Sequence, residues 1–338
     1  SFLCIQIYAY GFRPYDIVRY KGAYTNPNIA ALQYLIVFTM ILLKLHTLEV
    51  RGAGKFKKIA YLMAAGKMLG FQFMTMGRTA WISSVLLTVL FGVLVVRKLW
   101  KRSWKGLLLW WSMLILSMVI TFPIVFGSAR WLPTILHHPV WYESEGYSID
   151  WVHSYDGPDS EKYVEWDEFF DAALGRILKT LGIVEFKHPM VLQVQAAETS
   201  RTIAKVGTSQ MDESLRIRLS IYKAYIEDLN FTGHSVKEGF YKLEDTDYTS
   251  WHAQNLWLQI TYYFGIPAGF LFLLLTVWLI AKNFKKIQAF PEDPYSIVPF
   301  FICVAFFAYG IMEVVWNPGQ LILLLFFFVQ HPGTPTTK

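Results

Sequence analysis

Long apolar stretches constrain this chain more than any other feature of its sequence. Seven of them lie at residues 29–48, 59–76, 79–97, 106–127, 256–281, 295–316 and 319–330. A helix needs about 20 apolar residues to cross a bilayer, and most of the stretches approach that length. At 54% hydrophobic and 17% aromatic residues, the chain is too apolar for a soluble domain. The sequence therefore predicts an all-α integral membrane protein with about seven transmembrane helices.

Basic residues are concentrated in three connections between these stretches. They are Arg51, Lys55, Lys57 and Lys58 in the first connection, Arg97, Lys98, Lys101, Arg102 and Lys105 in the third, and Lys282, Lys285 and Lys286 after the fifth stretch. The positive-inside rule places these connections in the cytoplasm, and they alternate correctly for seven crossings. A multi-pass membrane protein is expected.

The long segment at 128–254 then lies outside the membrane. Residues 141–254 hold 20 Asp and Glu against 11 Lys and Arg, so the overall charge of +6 combines two opposite regions. Nucleic-acid binding is therefore not indicated. Residues 168–181 and 212–229 carry apolar side chains at helical spacing, which predicts a large, partly helical extracytoplasmic loop.

These spans divide the chain into three predicted regions. Membrane helices occupy 1–127, the extracytoplasmic loop or cap occupies 128–254, and C-terminal membrane helices occupy 255–338. The apolar residues after Ser1 resemble the outer end of another spanning helix, so further helices are expected upstream. Cys4 and Cys303 both lie in apolar surroundings and predict no disulfide framework.

Polar residues enter the fifth apolar stretch in the run W-H-A-Q-N-L-W-L-Q-I-T-Y-Y-F-G-I-P-A-G, from Trp251 to Gly269. If this run is helical, His252, Asn255 and Gln259 share one face with a tyrosine, while neighbouring leucines can meet lipid. A polar stripe at the mouth of a spanning helix is costly unless the groups are used or paired. The run therefore predicts a functional site at the membrane surface.

Two arginines and a glutamate are further candidates for this site. Arg78 follows a tight turn at Gly77 and begins the third helix, where it either snorkels to the interface or binds an anion such as phosphate. In the predicted helix at 212–229, Arg218 lies beside the apolar stripe and Arg216 is about 200° away from it. Glu313, in the sixth stretch, either serves function or pairs with an arginine.

That apolar stripe consists of Leu215, Leu219, Tyr222, Ile226 and Leu229, which recur at helical spacing.

The adjacent pair His137 and His138 does not predict a metal site, because neighbouring side chains point in different directions and no third ligand is suitably spaced. No Gly-rich phosphate loop or nucleophile elbow is recognisable in the sequence.

Taken in order, five motifs resemble those of the O-antigen ligase and O-antigen polymerase superfamily of bacterial membrane glycosyltransferases. They are N-P-N at 26–28, G-R-T-A at 77–80, R-L-S-I-Y-K-A-Y-I-E-D-L-N-F-T-G at 218–233, the H-A-Q-N-L-W-L-Q…G-I-P-A-G run, and Glu313 in a late helix. The likeness covers nearly the whole chain and lies in order and spacing. Gln254 stands where members often have histidine, and Ser235 replaces a second loop glycine.

The resemblance implies a GT-C-like fold, a place in the bacterial cytoplasmic (inner) membrane, and an inverting transfer at the extracytoplasmic face of that membrane. A glycan on undecaprenyl pyrophosphate would pass to an acceptor hydroxyl, on a glycan or a lipid-linked acceptor, with no cofactor or metal. In that reaction Arg78 and Arg218 would stabilise the pyrophosphate, and His252 would accept the proton of the acceptor. Gln254, Asn255, Gln259 and Glu313 would contact substrate, and the other partners would be membrane lipids.

Two other functions are compatible with the sequence. A transporter or flippase of polysaccharide precursors would use polar groups along a transport path, but internal repeats, typical of transporters, are not visible. A scaffold protein would leave the stripe of His252, Asn255 and Gln259 without a role. Polymerase and ligase differ only in the acceptor; since no lipid A site is recognisable, a polymerase or a broadly ligase-like enzyme is favoured.

Overall fold

A computed structural model of this chain describes residues 19–22, 24, 27–135, 166–180, 213–235, 241–242, 249–250, 252–291, 293, 295–314, 322–323 and 326. Among the side chains, those of 131–135, 168, 179–180, 213–216, 241–242 and 249–250 are not described. Most of the predicted seventh span, the pair His137 and His138, and Asn26 of the first motif lie outside the described residues.

The described residues are almost entirely helical, as predicted. The helices are α1 (Pro27–Val50), α2 (Lys55–Thr75), α3 (Arg78–Leu90) with a π-helical continuation (Phe91–Leu99), α4 (Trp104–Ile135), α5 (Trp166–Thr180), α6 (Glu213–Glu227), α7 (Leu256–Phe264), α8 (Ile266–Ala289) and α9 (Val298–Gly310). Two strands, β1 (Tyr241–Lys242) and β2 (Thr249–Ser250), pair antiparallel with Tyr241 opposite Ser250.

Four of the described helical segments are long and apolar enough to cross a membrane. They are Pro27–Val50, Arg78–Leu99, Trp104–Arg130 and Ile266–Ala289. Large apolar side chains on α3, α4 and α8, such as Val85, Leu116 and Leu271, are exposed, which suits contact with lipid. These features are those of a helical membrane protein. Helix α2 forms as predicted, but with Lys57, Lys58 and Lys67 it is less apolar than the four.

Two predicted spans differ in detail from the structure. The fifth, predicted as one stretch at 256–281, is divided at Gly265 into α7 and α8. In the described residues of the sixth, predicted at 295–316, the helix is the shorter α9, which ends at Gly310. At both places backbone groups form hydrogen bonds with residues distant in sequence: the Ile266 amide with Asn230, and the Ile311 carbonyl with Asn255.

By contacts, the chain forms two compact units. Unit 1 consists of Ser1–Ala173 with Lys286–Ala305, and unit 2 consists of Leu174–Lys285 with Phe306–Lys338.

In unit 1, α2 packs against both α1 and α4. Close approach to α4 depends on Gly66, since a Cβ atom there would collide with the backbone of Ser117, whereas a Cβ on Gly70 would only touch Phe122, at 3.5 Å. Small residues four positions apart allow helices to pack closely in membranes. An aromatic cluster extends this core, with Phe73 and Phe122 edge-on to each other at 5.5 Å and Phe169 of α5 against both.

The turn between α2 and α3 is as tight as predicted. Helix α2 ends with Met76 in the left-handed conformation at φ 50°, and α3 begins at Arg78, directly after Gly77. The Trp81 indole donates to the carbonyl of Gln72 at 3.0 Å and holds the turn closed. Arg19 adds a second clamp, donating to the carbonyl of Thr75 at 3.0 Å and to Asn28 at 2.9 Å.

In unit 2, α6 packs against α7. Their shared core contains Ile221, Tyr225, Ala253 and Tyr262, which are all buried. The predicted phase of α6 is therefore wrong by about one residue, because Ile226 of the predicted stripe is 57% exposed. The spacing of apolar residues predicted that the face with Tyr222 and Ile226 is buried, whereas the neighbouring face with Ile221 and Tyr225 is buried.

Candidate functional site

A polar cluster in unit 2 collects most of the predicted site residues. Its centre is an ion pair between Arg218 of α6 and Glu313, with 3.0 Å between Nη2 and Oε1, and the side chains are only 19% and 18% exposed. Arg218 Nη1 also donates to the carbonyl of Met312 at 2.7 Å. A guanidinium carries five N–H donors, and the described residues use two of them in this way.

The chain around Glu313 is held by two further donors. Asn255 Nδ2 donates to the carbonyl of Ile311 at 2.8 Å. The Tyr222 hydroxyl donates to the carbonyl of Gln254 at 3.0 Å and lies 3.4 Å from that of Ile311. Because α9 ends at Gly310, the carbonyl of Ile311 lies beyond the helix and needs such partners.

The predicted helical stripe of His252, Asn255 and Gln259 is wrong in part. Helix α7 begins only at Leu256, with Asn255 as its N-cap: the side chain accepts from the amide of Leu258 at 2.9 Å. His252 precedes the helix. The buried Gln259 side chain accepts the amide of Ala253 at 2.6 Å, so it folds the preceding segment back over the helix. These contacts, rather than a shared helical face, set the positions of Asn255 and Gln259.

Gln254 makes the bend that this arrangement requires. Its φ of 49° lies in the left-handed region, which asparagine and glycine adopt more readily than glutamine. The Gln254 amide donates to Nδ1 of His252 at 3.2 Å. A neutral His252 with Nδ1 accepting carries its proton on Nε2, an assignment that follows from this bond.

Burial lowers the pKa of His252, and the positive charge of Arg218 lowers it further. The ring is therefore neutral at and above the usual histidine pKa of about 6.5. Tyr222 shows the opposite shift: burial raises the pKa of its hydroxyl, Arg218 lowers it and Glu313 raises it. At neutral pH the cluster thus combines one ion pair with a neutral imidazole and a neutral phenol.

A second set of contacts fixes the break between α7 and α8. Gly265 has φ 85° and ψ 164°, a conformation that only glycine adopts readily. The segment 230–234 docks on the break, with the Ile266 amide donating to the carbonyl of Asn230 at 3.0 Å and the His234 amide to that of Tyr262 at 2.9 Å. A Cβ atom on Gly265 would collide with the carbonyl of Phe231.

Sequence reasoning missed the role of His234. Its ring stacks on Tyr262, with centroids 4.2 Å apart, and its Nε2 lies 2.6 Å from the carbonyl of Asp228. The sequence pattern likewise places Tyr222 only in an apolar stripe. A polar residue that interrupts or ends an amphipathic helix was the available signal in both cases.

Arg78 belongs to unit 1, where it is the first residue of α3 and half-buried. Val85 and Val89, about two and three turns later, lie on the same face of α3 as Arg78. They line a largely apolar groove of about 420 Å³ between α2, α3 and α4, together with Trp81, Trp111 and Met118.

Two of the polar side chains that line this groove, Gln72 and Ser84, are buried. Gln72 is 1% exposed, and its Oε1 accepts a hydrogen bond from Ser84. Within the part of the chain that the structure describes, its Nε2 has no hydrogen-bond partner. A buried N–H group without a partner costs free energy.

The described residues contain no group of three or more His, Cys, Asp or Glu side chains placed to hold a metal ion. Arg216, predicted to point away from Arg218, has a side chain outside the described set. Comparisons with family models, with curated proteins and with solved structures find no match to this chain.

Proposed function

We propose that this protein is an inverting membrane glycosyltransferase of the O-antigen ligase or polymerase type. It transfers a glycan from undecaprenyl pyrophosphate to an acceptor hydroxyl at the extracytoplasmic face of the membrane. The observation that carries the proposal is the cluster of Arg218, His252 and Asn255, where an arginine and a neutral imidazole lie half-buried beside the start of α7.

Each part of the proposed reaction has a matching group. The acceptor oxygen attacks the anomeric carbon, the bond from that carbon to the pyrophosphate oxygen breaks, and undecaprenyl pyrophosphate leaves. A leaving group with developing negative charge needs a cationic donor; Arg218 is the candidate in unit 2, and Arg78 is the candidate in unit 1. The acceptor proton passes to His252, whose lowered pKa keeps it neutral and able to accept.

The tautomer of His252 adds a condition to this step. Its Nδ1 already accepts from the Gln254 amide, so proton transfer to Nδ1 requires the acceptor hydroxyl to take the place of that amide. The other role open to the ring is donation from Nε2 to a substrate oxygen. A base loses activity when it is protonated, whereas a donor does not, so the pH profile separates the two roles.

The groove beside Arg78 supports a donor attached to lipid. A cation at the helix start and an apolar channel on the same helix face suit an anionic headgroup with a hydrocarbon tail. In the full proposal the chain crosses the membrane seven times, and residues 128–254 form an extracytoplasmic cap that contacts the glycan. Gln254, Gln259 and Glu313 complete the substrate contacts, Glu313 by orienting Arg218.

The decisive experiment is glycan transfer by the purified protein from an undecaprenyl-pyrophosphate oligosaccharide, with a chelator present. Transfer is expected for the parent protein and is expected to be lost in His252→Ala, with donor binding retained. Arg218→Ala should weaken both binding and turnover, and Arg78→Lys should lose most activity because an ammonium cannot reproduce the guanidinium fork.

Arg216→Ala is the matched control, since it removes the same charge from the same helix. If Arg216→Ala abolished transfer and Arg218→Ala did not, the assignment of the site arginine would be wrong. Transfer that required a metal, or equal transfer by parent and His252→Ala, would contradict the proposed chemistry.

A flippase is the second candidate, because the structure contains one feature typical of transporters. Interrupted membrane helices often line transport sites, and the helical structure is interrupted at Gly265 between α7 and α8. Proteoliposomes loaded with the lipid-linked oligosaccharide distinguish the two functions. Movement of the donor between leaflets without transfer to an acceptor would favour the flippase.

A further inference from the structure

A second cavity in unit 1 lies where two of the basic connections meet. It encloses about 340 Å³ next to the end of α1, the start of α2, the end of the π-helical segment and the start of α4. Pockets that bind small ligands commonly have volumes from about 300 Å³ upwards, and this cavity has a volume of that order. None of the residues assigned to glycan transfer lines this cavity.

The mouth of the cavity is positively charged. Glu49 accepts from Lys58 at 2.6 Å and from Arg102 at 3.1 Å, so a single carboxylate lies between two cations. Lys55 is a third cation on the lining. Three positive groups against one negative group leave an excess of positive charge at this opening.

The inner walls of the same cavity are apolar. Leu45, Leu62, Val96, Leu109, Trp110 and Met113 line it. Several belong to helices long enough to cross a membrane, whereas Lys55 and Arg102 lie at or beyond the helix ends. Trp100 also lines the cavity, and the Arg97 guanidinium lies 5.0 Å from the centre of the Trp104 ring; tryptophan is enriched at membrane interfaces.

A basic mouth together with apolar inner walls fits a ligand that is an amphipathic anion. A soluble anion would use the basic mouth and leave the apolar walls empty, and a zwitterionic lipid would leave the excess positive charge uncompensated. Basic pockets between membrane helices bind the headgroups of anionic lipids in this way. We propose that this cavity binds one anionic phospholipid, with its phosphate at Lys55, Lys58 and Arg102 and part of an acyl chain against the inner walls.

Glu49 sets the strength of this site. Its carboxylate occupies donors of Lys58 and Arg102 that a phosphate would otherwise take. Binding of the lipid headgroup therefore competes with an existing ion pair. Removing the carboxylate should strengthen lipid binding, while removing the cations should weaken it.

The test titrates delipidated protein in detergent with dioleoyl-phosphatidylglycerol or dioleoyl-phosphatidylcholine and counts bound lipids by native mass spectrometry. One phosphatidylglycerol per protein is expected to bind in preference to phosphatidylcholine. Lys55→Gln with Arg102→Gln should weaken phosphatidylglycerol roughly 30-fold, since each basic residue near a membrane surface contributes about fivefold. Lys285→Gln with Lys286→Gln removes the same charge elsewhere and should bind like the parent.

Two further variants test the site without removing its cations. Glu49→Gln should tighten phosphatidylglycerol binding severalfold, and Leu62→Trp should weaken it by filling the inner cavity. Glycerol phosphate at millimolar concentration should not displace the lipid. Equal binding of both lipids, equal losses in the two double variants, or displacement by glycerol phosphate would each overturn the proposal. None of these outcomes bears on glycan transfer, which is assayed separately.

Discussion

Arg218 is the residue on which the cluster in unit 2 depends. It pairs with Glu313, holds the carbonyl of Met312 and contributes to the lowered pKa of His252. The sequence identified Arg218 from helical spacing, and Glu313 from its position in an apolar stretch. Their contact joins positions 95 residues apart, and local spacing carries no information on such a pair.

The first prediction concerns the charge coupling between Arg218 and His252. Arg218→Gln removes the positive charge, so the pKa of His252 should rise, although it should stay below the usual value because burial is the larger cause. NMR titration of labelled histidines, with His252→Ala to identify the signal, measures this shift. In the parent, stability due to neutral His252 is present above pH 6.5 and is lost as pH falls towards its lower folded pKa. An unchanged His252 pKa in Arg218→Gln would contradict the coupling.

Asn255 makes two separable contacts, which the second prediction tests. Asn255→Ala removes both the helix cap and the bond to Ile311, and should lower the free energy of unfolding by about 1 kcal/mol or more. Asn255→Asp keeps a cap acceptor but loses the donor to Ile311. It should therefore lie between parent and alanine variant in thermal unfolding in detergent. Equal loss in both variants would show that the cap contributes little.

At the scale of elements, the break between α7 and α8 is the feature that local pattern could not reveal. Apolar residues run on through Gly265, and a glycine within such a run is common in membrane helices. The helix is nevertheless interrupted, because the segment 230–234 bonds to the backbone on either side of that glycine. The resulting bend precedes α8, one of the helices long enough to span the membrane.

The third prediction addresses this break. Gly265→Ala should destabilise the protein by roughly 1–3 kcal/mol, because alanine disfavours the φ of 85° and its Cβ would collide with the carbonyl of Phe231. Gly127→Ala is the control, since a Cβ there meets nothing within 4 Å. That helical substitution should leave stability unchanged or raise it slightly. Thermal unfolding in detergent compares the two, and equal effects would contradict the strained geometry.

At the scale of the whole molecule, the described residues include four helices long and apolar enough to cross a membrane, as in a helical membrane protein, and the orientation is a prediction from charge. The fourth prediction tests that orientation with single cysteines after Cys4 and Cys303 are replaced by serine. A membrane-impermeant maleimide should label Ser160→Cys in intact cells and Lys57→Cys only after permeabilisation. The reverse pattern would show that the topology is inverted. Labelling of both cysteines in intact cells would show that residues 57 and 160 do not lie on opposite sides of the membrane.

Much of the helical framework follows from sequence alone. The apolar stretch at 29–48 corresponds to Pro27–Val50, and the amphipathic pattern at 168–181 corresponds to Trp166–Thr180. The turn at Gly77 also forms where it was predicted. These features are local, because hydrophobic periodicity and turn residues act over a few positions along the chain.

The tertiary structure decided the site. In the structure, His252 and Asn255 precede α7 instead of lying on it, and the buried face of α6 differs from the predicted one. Helix α9 ends before Glu313, and the helical structure is interrupted at Gly265. Each outcome depends on a buried backbone or polar group finding a partner distant in sequence. Apolar spacing reports which residues leave water, but not which distant group will satisfy a buried donor or acceptor.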